Sequence, residues 1–244
     1  MVFCSPKCRE ESYFHTVECK VVDYIMPLYS VGSDRYISLR MLTKTPIKQL
    51  NKHKLELNEE KTKDILKDYK NKTKDIFHIL DLCTNNDMIP SRTHFCDGFL
   101  AVFFINVLLK TNYFNKDKLD EEKILIGSLL IRLFEIRVHN VHSVETLKPK
   151  RSRKLKDCVP TTLGGAMYPT VALFNHSCMF KIHSFYNGGK TTKVAIQQIK
   201  KGSQVDDIYY PSFSKAEKQE RQDYLYENYR FRCECEVSRP IILF

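Results

Sequence analysis

No run in this sequence is long enough to span a membrane. The most apolar stretch, residues 99–109, contains Asn106 and falls well short of the ~20 residues a spanning helix needs. The opening residues, Met1-Val2-Phe3-Cys4-Ser5-Pro6-Lys7, carry no apolar signal core, which argues against a secretory route. There is no internal repeat. Glycine and proline are sparse, 8 and 9 of 244 residues. With 43% hydrophobic and 28% charged residues, the chain is neither collagen-like nor a disordered tail. Its length allows one or two domains with a sizeable core. Acidic residues are the minority: 39 Lys+Arg against 29 Asp+Glu leave a formal charge of +10. That balance favours acidic partners, whether nucleic acid, an anionic cofactor or an acidic protein segment, and says little about fold.

Cysteine is not scarce, and its number, nine, is odd. In a reducing compartment, clustered cysteines more often mean metal than disulfide. Cys4, Cys8 and Cys19 cluster at the start, Cys233 and Cys235 near the end, and Cys178 follows His176-Ser177. Cys83, Cys96 and Cys158 stand apart and read as core thiols.

From Arg35 to about Leu147 the pattern is mainly helical. Leu125, Leu129 and Leu133 recur at i, i+4 and i+8, with Arg132, Glu135 and Arg137 between the apolar positions. Residues 99–109 are apolar on nearly all sides, which predicts a buried helix. Residues 51–75 read as a solvated helix carrying Glu59/Lys63 and Asp68/Lys72 pairs. Residues 148–156, K-P-K-R-S-R-K-L-K, form a basic loop. It suits either a nuclear-import or nucleic-acid patch or a plain solvated surface. Beyond Cys158 the texture changes. A glycine-containing turn is predicted over 161–166, short strands over 193–199 and 205–210, and a turn at Lys200-Lys201-Gly202 between them. Ser214-Lys215-Ala216-Glu217 reads as a capping box opening a helix that reaches about Tyr226. The fold class is α+β.

Three constellations carry chemistry. The first is Cys4-x3-Cys8-x6-His15-x3-Cys19, whose paired spacings suit a tetrahedral zinc. The second is Asn175-His176-Ser177-Cys178, which offers an amide and imidazole surface to a ligand and a thiolate to a metal. Alone, it fits a satisfied buried histidine equally well. The third is Tyr229-Arg230-Phe231-Arg232-Cys233-Glu234-Cys235. Two cysteines one residue apart do not readily pair with each other, but they can share a metal with a distant third, for which Cys178 is the obvious choice.

Together these segments resemble the SET and MYND domain (SMYD) family of protein-lysine methyltransferases, in particular the insect members of its fourth subgroup. Cys4 to Cys19 resembles the second half of a MYND zinc finger. Arg40-Met41-Leu42-Thr43 and Asn140-Val141-His142 resemble short helical motifs of the family's insert region. The most specific stretch runs from Gly164-Gly165-Ala166-Met167-Tyr168-Pro169 to Asn175-His176-Ser177-Cys178, followed in family order by Ile199-Lys200-Lys201-Gly202, Tyr209 and Tyr229 to Cys235. The resemblance implies a SET-type β fold of short strands with a large helical insert, a partial zinc finger and a cysteine-bearing post-SET tail. The corresponding parts are 1–20 (finger), 21–157 (insert and basic linker), 158–213 (SET core) and 214–244 (post-SET helix and tail).

The function it implies is S-adenosylmethionine-dependent methyl transfer to a lysine of a histone or non-histone protein. Asn140, Asn175 and His176 would hold the cofactor and Phe231 would pack on it. Tyr209 would be the catalytic tyrosine and Tyr229 a wall of the lysine channel. Cys178, Cys233 and Cys235 would share a zinc, and Cys4, Cys8, His15 and Cys19 would ligate metal in the finger. The implied setting is nuclear and cytoplasmic, as a monomer, with a lysine-containing protein substrate and chromatin or regulatory partners.

The sequence departs from the family pattern at several points. It lacks the Gly-x-Gly segment that precedes the finger in the family, so the expectation is a chain short at both ends. Ser238 stands where the family has the last cysteine of Cys-x-Cys-x2-Cys. Phe180-Lys181 and Ser203-Gln204 replace a Pro-Asn and an acidic pair. These departures keep a second reading open, that of a non-catalytic interaction module on a SET scaffold.

Overall fold

The repeat of leucines after Leu119 forms the longest helix among the described residues. The computed structural model describes residues 5–53, 76–150, 154, 157–187, 189–209 and 212–239. Cys4, most of the lysine-rich stretch and most of the basic segment at 151–156 lie outside the described residues. The chain divides into two compact units, Met1–Arg137 and Val138–Phe244.

The first unit is helical: α1 (Pro6–Glu10), α2 (Tyr13–Glu18), α3 (Val22–Ile25), α4 (Tyr29–Thr43), α5 (Ile47–His53), α6 (Ile76–Leu80), α7 (Ser91–Leu108) and α8 (Leu119–Asn140), whose last residues pass into the second unit. Asp120, Glu121 and Glu122 sit in the first turn of α8, where carboxylates offset the exposed N–H groups of the helix start. One face of α8, with Ile126, Leu130, Leu133 and Phe134, is fully buried against Phe104 and Leu108 of α7 and Leu39 and Leu42 of α4. Gly127 lets α7 come close; a Cβ there would meet Ile105 Cδ1 at 3.2 Å.

Val17, Val21 and Ile25 join this core. The N-terminal segment is therefore held by apolar packing, although its composition alone predicts a poor core. A buried carboxylate adds to this. Glu18 accepts from Tyr36 Oη at 2.5 Å and from Arg40 Nε at 2.8 and 2.9 Å, and also from Thr43 Oγ1.

Helix α7 corrects one expectation. Ala101, Phe104, Val107 and Leu108 are buried, but Phe95, Phe99 and Val102 are 77%, 68% and 58% exposed. An all-round apolar helix needs neighbours on every side, and the described residues of this unit supply them on one. The isolated cysteines are not core thiols either. Cys83 and Cys96 are exposed and Cys158 half-buried. Cys83 lies in a loop, its Sγ donating to Asn85 Oδ1 at 3.0 Å, and Cys96 lies beside Phe95 on the outer face of α7.

The second unit is built from two antiparallel hairpins and a helix. Helix α8 ends at Asn140, so the helical pattern stops short of Leu147. The β-branched residues of Val141-His142-Ser143-Val144-Glu145-Thr146 run instead as β1 (Val141–Pro149). Strand β1 pairs with β2 (Cys158–Met167) from Val141↔Met167 to Pro149↔Cys158, with a bulge at Val144/Glu145. Gly164 and Gly165 thus lie within a strand and not in a turn, directly after Leu163, the extra residue of the bulge, which has no partner on β1. Strand β3 (Ile182–Asn187) pairs with β4 (Lys190–Ala195), and the Asn187↔Lys190 pair leaves a two-residue connection that is Gly188-Gly189 in sequence. The strand expected over 205–210 is reduced to one parallel bridge, His176↔Asp207. Helix α9 (Lys218–Tyr229) starts after Glu217 and runs past Tyr226. Ser214 does not cap it, since its hydroxyl meets Ser212 Oγ at 3.0 Å. The architecture is mixed helix and short antiparallel sheet, in keeping with α+β.

Candidate functional site

Two segments more than thirty residues apart are laced together by their backbones. Asp207 N donates to Asn175 O, and Ser177 N to Asp207 O, both at 2.9 Å. Tyr209 N donates to His176 Nδ1 at 3.0 Å, and Tyr209 Oη to Phe174 O at 2.8 Å. Underneath, the buried Asp207 carboxylate pairs with Lys193 Nζ of β4 and accepts from Ile208 N at 2.9 Å. The His176 ring and the Tyr209 hydroxyl are therefore each held by a main-chain group.

The rings gather above this base. Tyr209 stacks at a tilt on Tyr229, centroids 4.8 Å apart, and meets Phe231 edge-on at 6.2 Å. His176 is 5.3 Å from Tyr209 and 5.9 Å from Phe231. The turn that brings this about is unusual. Arg230 follows α9 with φ 60°, in the left-handed region, and this reversal sends both Tyr229 and Phe231 into one cluster. Burial pulls the His176 imidazole down to about 4 although Asp207 and Asp206 act in the opposite sense, so it is neutral at physiological pH. Burial, aided by Tyr224 and Tyr209, pushes the Tyr229 phenol up to about 12. The cluster is thus aromatic, neutral and half-dry.

Sulfur collects below it. Cys178 and Cys233 are buried, and their Sγ atoms are 3.9 Å apart. Helix α9 clamps the cysteine tail from one side. Gln222 Nε2 donates to Cys233 O at 2.6 Å and its Oε1 accepts from Cys233 N at 2.9 Å, while Arg221 Nη2 donates to Val237 O at 3.0 Å. Ser238 Oγ, buried, lies 3.5 Å from Cys178 Sγ and 3.4 Å from Cys235 Sγ.

Burial pushes the Cys233 thiol up to about 11. At Cys235 burial acts upward too, but hydrogen bonds from Ser238 and the other two cysteines outweigh it and bring the thiol to about 7. Among the described residues, one group of ligand-type side chains converges to within 4.8 Å: His176, Cys178 and Cys233. A tetrahedral zinc holding thiolates at about 2.3 Å sets their sulfurs about 3.8 Å apart. The observed separation matches that edge, so the group is compatible with zinc.

The other expected residues fall as follows. Asn140 is buried at the end of α8, and its carbonyl lies 2.9 Å from His142 Nδ1. The ring of His139, one residue before Asn140, is 6.5 Å from the ring of Tyr229. Asn175 is exposed, its carbonyl held by Asp207. Cys8 lies on α1, while His15 and Cys19, on α2 and the turn after it, line an open cavity of about 600 Å³ with Tyr13, Lys20 and Asn112. The structure brings Cys8, His15 and Cys19 into no ligand group among the described residues. Two residues that organise the site carry no sequence signal: Asp207, an ordinary acidic residue in a polar stretch, and Gln222, one of several polar residues of α9.

The chain has relatives among well-characterised proteins. It is 38% identical over 78 residues to N-lysine methyltransferase SMYD2 of Homo sapiens, which is 30% of this chain and 17% of that protein. It is 31% identical over 131 residues to N-lysine methyltransferase SMYD2-B of Xenopus laevis, 48% of this chain and 29% of that one. A SET and MYND domain-containing protein of Dictyostelium discoideum is 38% identical over 73 residues, 30% of this chain and 17% of that protein. The matches thus span less than a third of these relatives' own length. No protein-family model matches the chain. Over the matched parts, the chain is similar to proteins of the SMYD family, among them two named as lysine methyltransferases.

Proposed function

We propose that this protein is an S-adenosylmethionine-dependent protein-lysine N-methyltransferase of the SMYD type, with a SET-type second unit. The observation that carries this reading is the ring cluster of His176, Tyr209, Tyr229 and Phe231, pinned by main-chain hydrogen bonds.

Methyl transfer to an amine needs an in-line approach and little covalent help, so positioning supplies most of the catalysis. When bound, the cofactor supplies the methyl group as part of a sulfonium. The exposed Asn175 amide, the neutral His176 ring, the Phe231 face and Asn140 are the residues that would hold it. Tyr209 Oη gives its proton to Phe174 O and directs its oxygen lone pairs elsewhere. An oxygen of that kind stabilises the partial positive charge on a methyl in flight. Tyr229 forms an aromatic wall that attracts an ammonium or methylammonium tip by cation–π interaction. The same burial that keeps its phenol neutral disfavours a charged amine, so a lysine entering beside it gives up its proton more readily. Cys178, Cys233 and Cys235 would hold zinc under the cluster and tie the tail carrying Phe231 to the loop carrying His176.

The test is calorimetry with S-adenosylmethionine, together with labelled methyl transfer to histones and to proteins of a cell extract. Binding and label incorporation are expected. Tyr209→Phe is expected to cut the transfer rate by about ten-fold or more while circular dichroism is unchanged. A folded chain that binds no cofactor overturns the reading.

A further inference from the structure

The zinc reading above supplies three thiolates, and a tetrahedral ion needs a fourth ligand. Two groups stand at the right distance. His176 Nε2 is 3.4 Å from Cys178 Sγ, and Ser238 Oγ is 3.5 Å from the same sulfur and 3.4 Å from Cys235 Sγ. With zinc–sulfur bonds of about 2.3 Å and zinc–nitrogen or zinc–oxygen bonds of about 2.0–2.1 Å, the tetrahedral edge is about 3.5 Å in either case. Distance alone does not choose between them.

Hydrogen bonding does. The backbone N–H of Tyr209 points at His176 Nδ1 from 3.0 Å. A backbone N–H can only donate, so Nδ1 must present its lone pair to it. A neutral imidazole with an unprotonated Nδ1 carries its proton on Nε2. Nε2 therefore faces Cys178 Sγ as N–H and has no lone pair for a metal. Ser238 has no such conflict. It is buried, and its hydroxyl touches two sulfurs of the set.

We infer that Ser238 Oγ is the fourth vertex of this centre and that His176 is a donor to the Cys178 thiolate, not a ligand. This rests on the zinc reading and refines it. Three thiolates and a neutral hydroxyl leave the centre at −1, where four thiolates would leave it at −2. Oxygen also holds zinc less firmly than thiolate sulfur does in such a set. The ion in this chain is consequently more easily withdrawn than in a four-cysteine site.

Cobalt substitution reads the donor set directly, through ligand-field band position and sulfur-to-metal charge-transfer intensity. The full chain is used, with Cys4, Cys8 and Cys19 changed to serine so that the N-terminal thiols contribute nothing. The parent is expected to take up one cobalt with three-thiolate intensity. Ser238→Cys is expected to raise charge-transfer intensity by about a third, shift the bands to longer wavelength and slow zinc loss to a chelator. His176→Ala is expected to leave band positions unchanged while weakening binding by about ten-fold, as loss of a supporting hydrogen bond does. Bands that shift in His176→Ala and stay put in Ser238→Cys overturn the assignment in favour of histidine ligation. Should Ser238→Cys fail to fold, Ser238→Thr keeps the oxygen and must reproduce the parent bands; a shift overturns the assignment. No cobalt uptake by the folded parent overturns the zinc reading itself, an outcome distinct from either of these.

Discussion

Tyr229 lies against Tyr209 with ring centroids 4.8 Å apart and donates its hydroxyl to Tyr209 O at 3.3 Å. The two tyrosines are thus joined by a face and by a hydrogen bond at once. With its pKa raised by burial to about 12, the Tyr229 phenol remains protonated in the folded chain after it has begun to ionise in the unfolded one. Its contribution to stability is complete below pH 10 and is lost as pH rises from 10 through 12. The expected slope amounts to about 2–3 kcal/mol over that window. Denaturant unfolding at pH 9 and pH 11.5 should show it, and Tyr229→Phe should make the fall smaller by that share, while Tyr113 and the other buried phenols keep theirs.

Arg230 holds a left-handed conformation without being glycine. The cost for an L-residue there is about 1 kcal/mol. Arg230→Gly is expected to stabilise the second unit by about 0.5–1 kcal/mol, and Arg230→Val to destabilise it by more than that. Urea midpoints compared at constant slope would measure both.

Gln222 bonds both the N–H and the carbonyl of Cys233, and both bonds are buried. Gln222→Leu keeps the bulk and leaves two buried backbone groups without that partner. The expected loss is about 1–3 kcal/mol per group. A Tm drop with unchanged far-ultraviolet circular dichroism would bear this out; an unchanged Tm would show that the tail is held elsewhere.

The Lys193–Asp207 pair is buried on both sides, and Lys193 Nζ also donates to Ser184 Oγ at 2.5 Å. Lys193→Met strands a buried carboxylate and is expected to cost about 3–5 kcal/mol. Adding Asp207→Leu should recover much of that. A double variant as unstable as the sum of the singles would mean that the two charges are not coupled.

Much of this was legible in the sequence where one residue type or one spacing settles the matter. The Leu125, Leu129, Leu133 series gives α8 because a 3.6-residue period has a single core face. Cys178 and Cys233 meet because clustered thiols in such spacing have few other uses. Other features depend on neighbours that spacing does not reveal. Phe95 and Phe99 carry the same apolar signal as Phe104 and end on the other side of α7, since burial depends on what packs there. Asp207 and Gln222 act through partners 14 and 11 residues away, and nothing local marks them. The strand β1 continues directly from a helix, so its β-branched residues read as helix until its pairing with β2 is known.

The cysteines also give the folded chain an internal clock. Cys83 and Cys96 are open to solvent, whereas Cys178 and Cys233 are sealed. An alkylating reagent should mark the first pair without any unfolding and the second only as fast as the second unit opens. Mass spectrometry of a single timed sample then reports reagent strength and breathing of the core together, each thiol serving as the other's control.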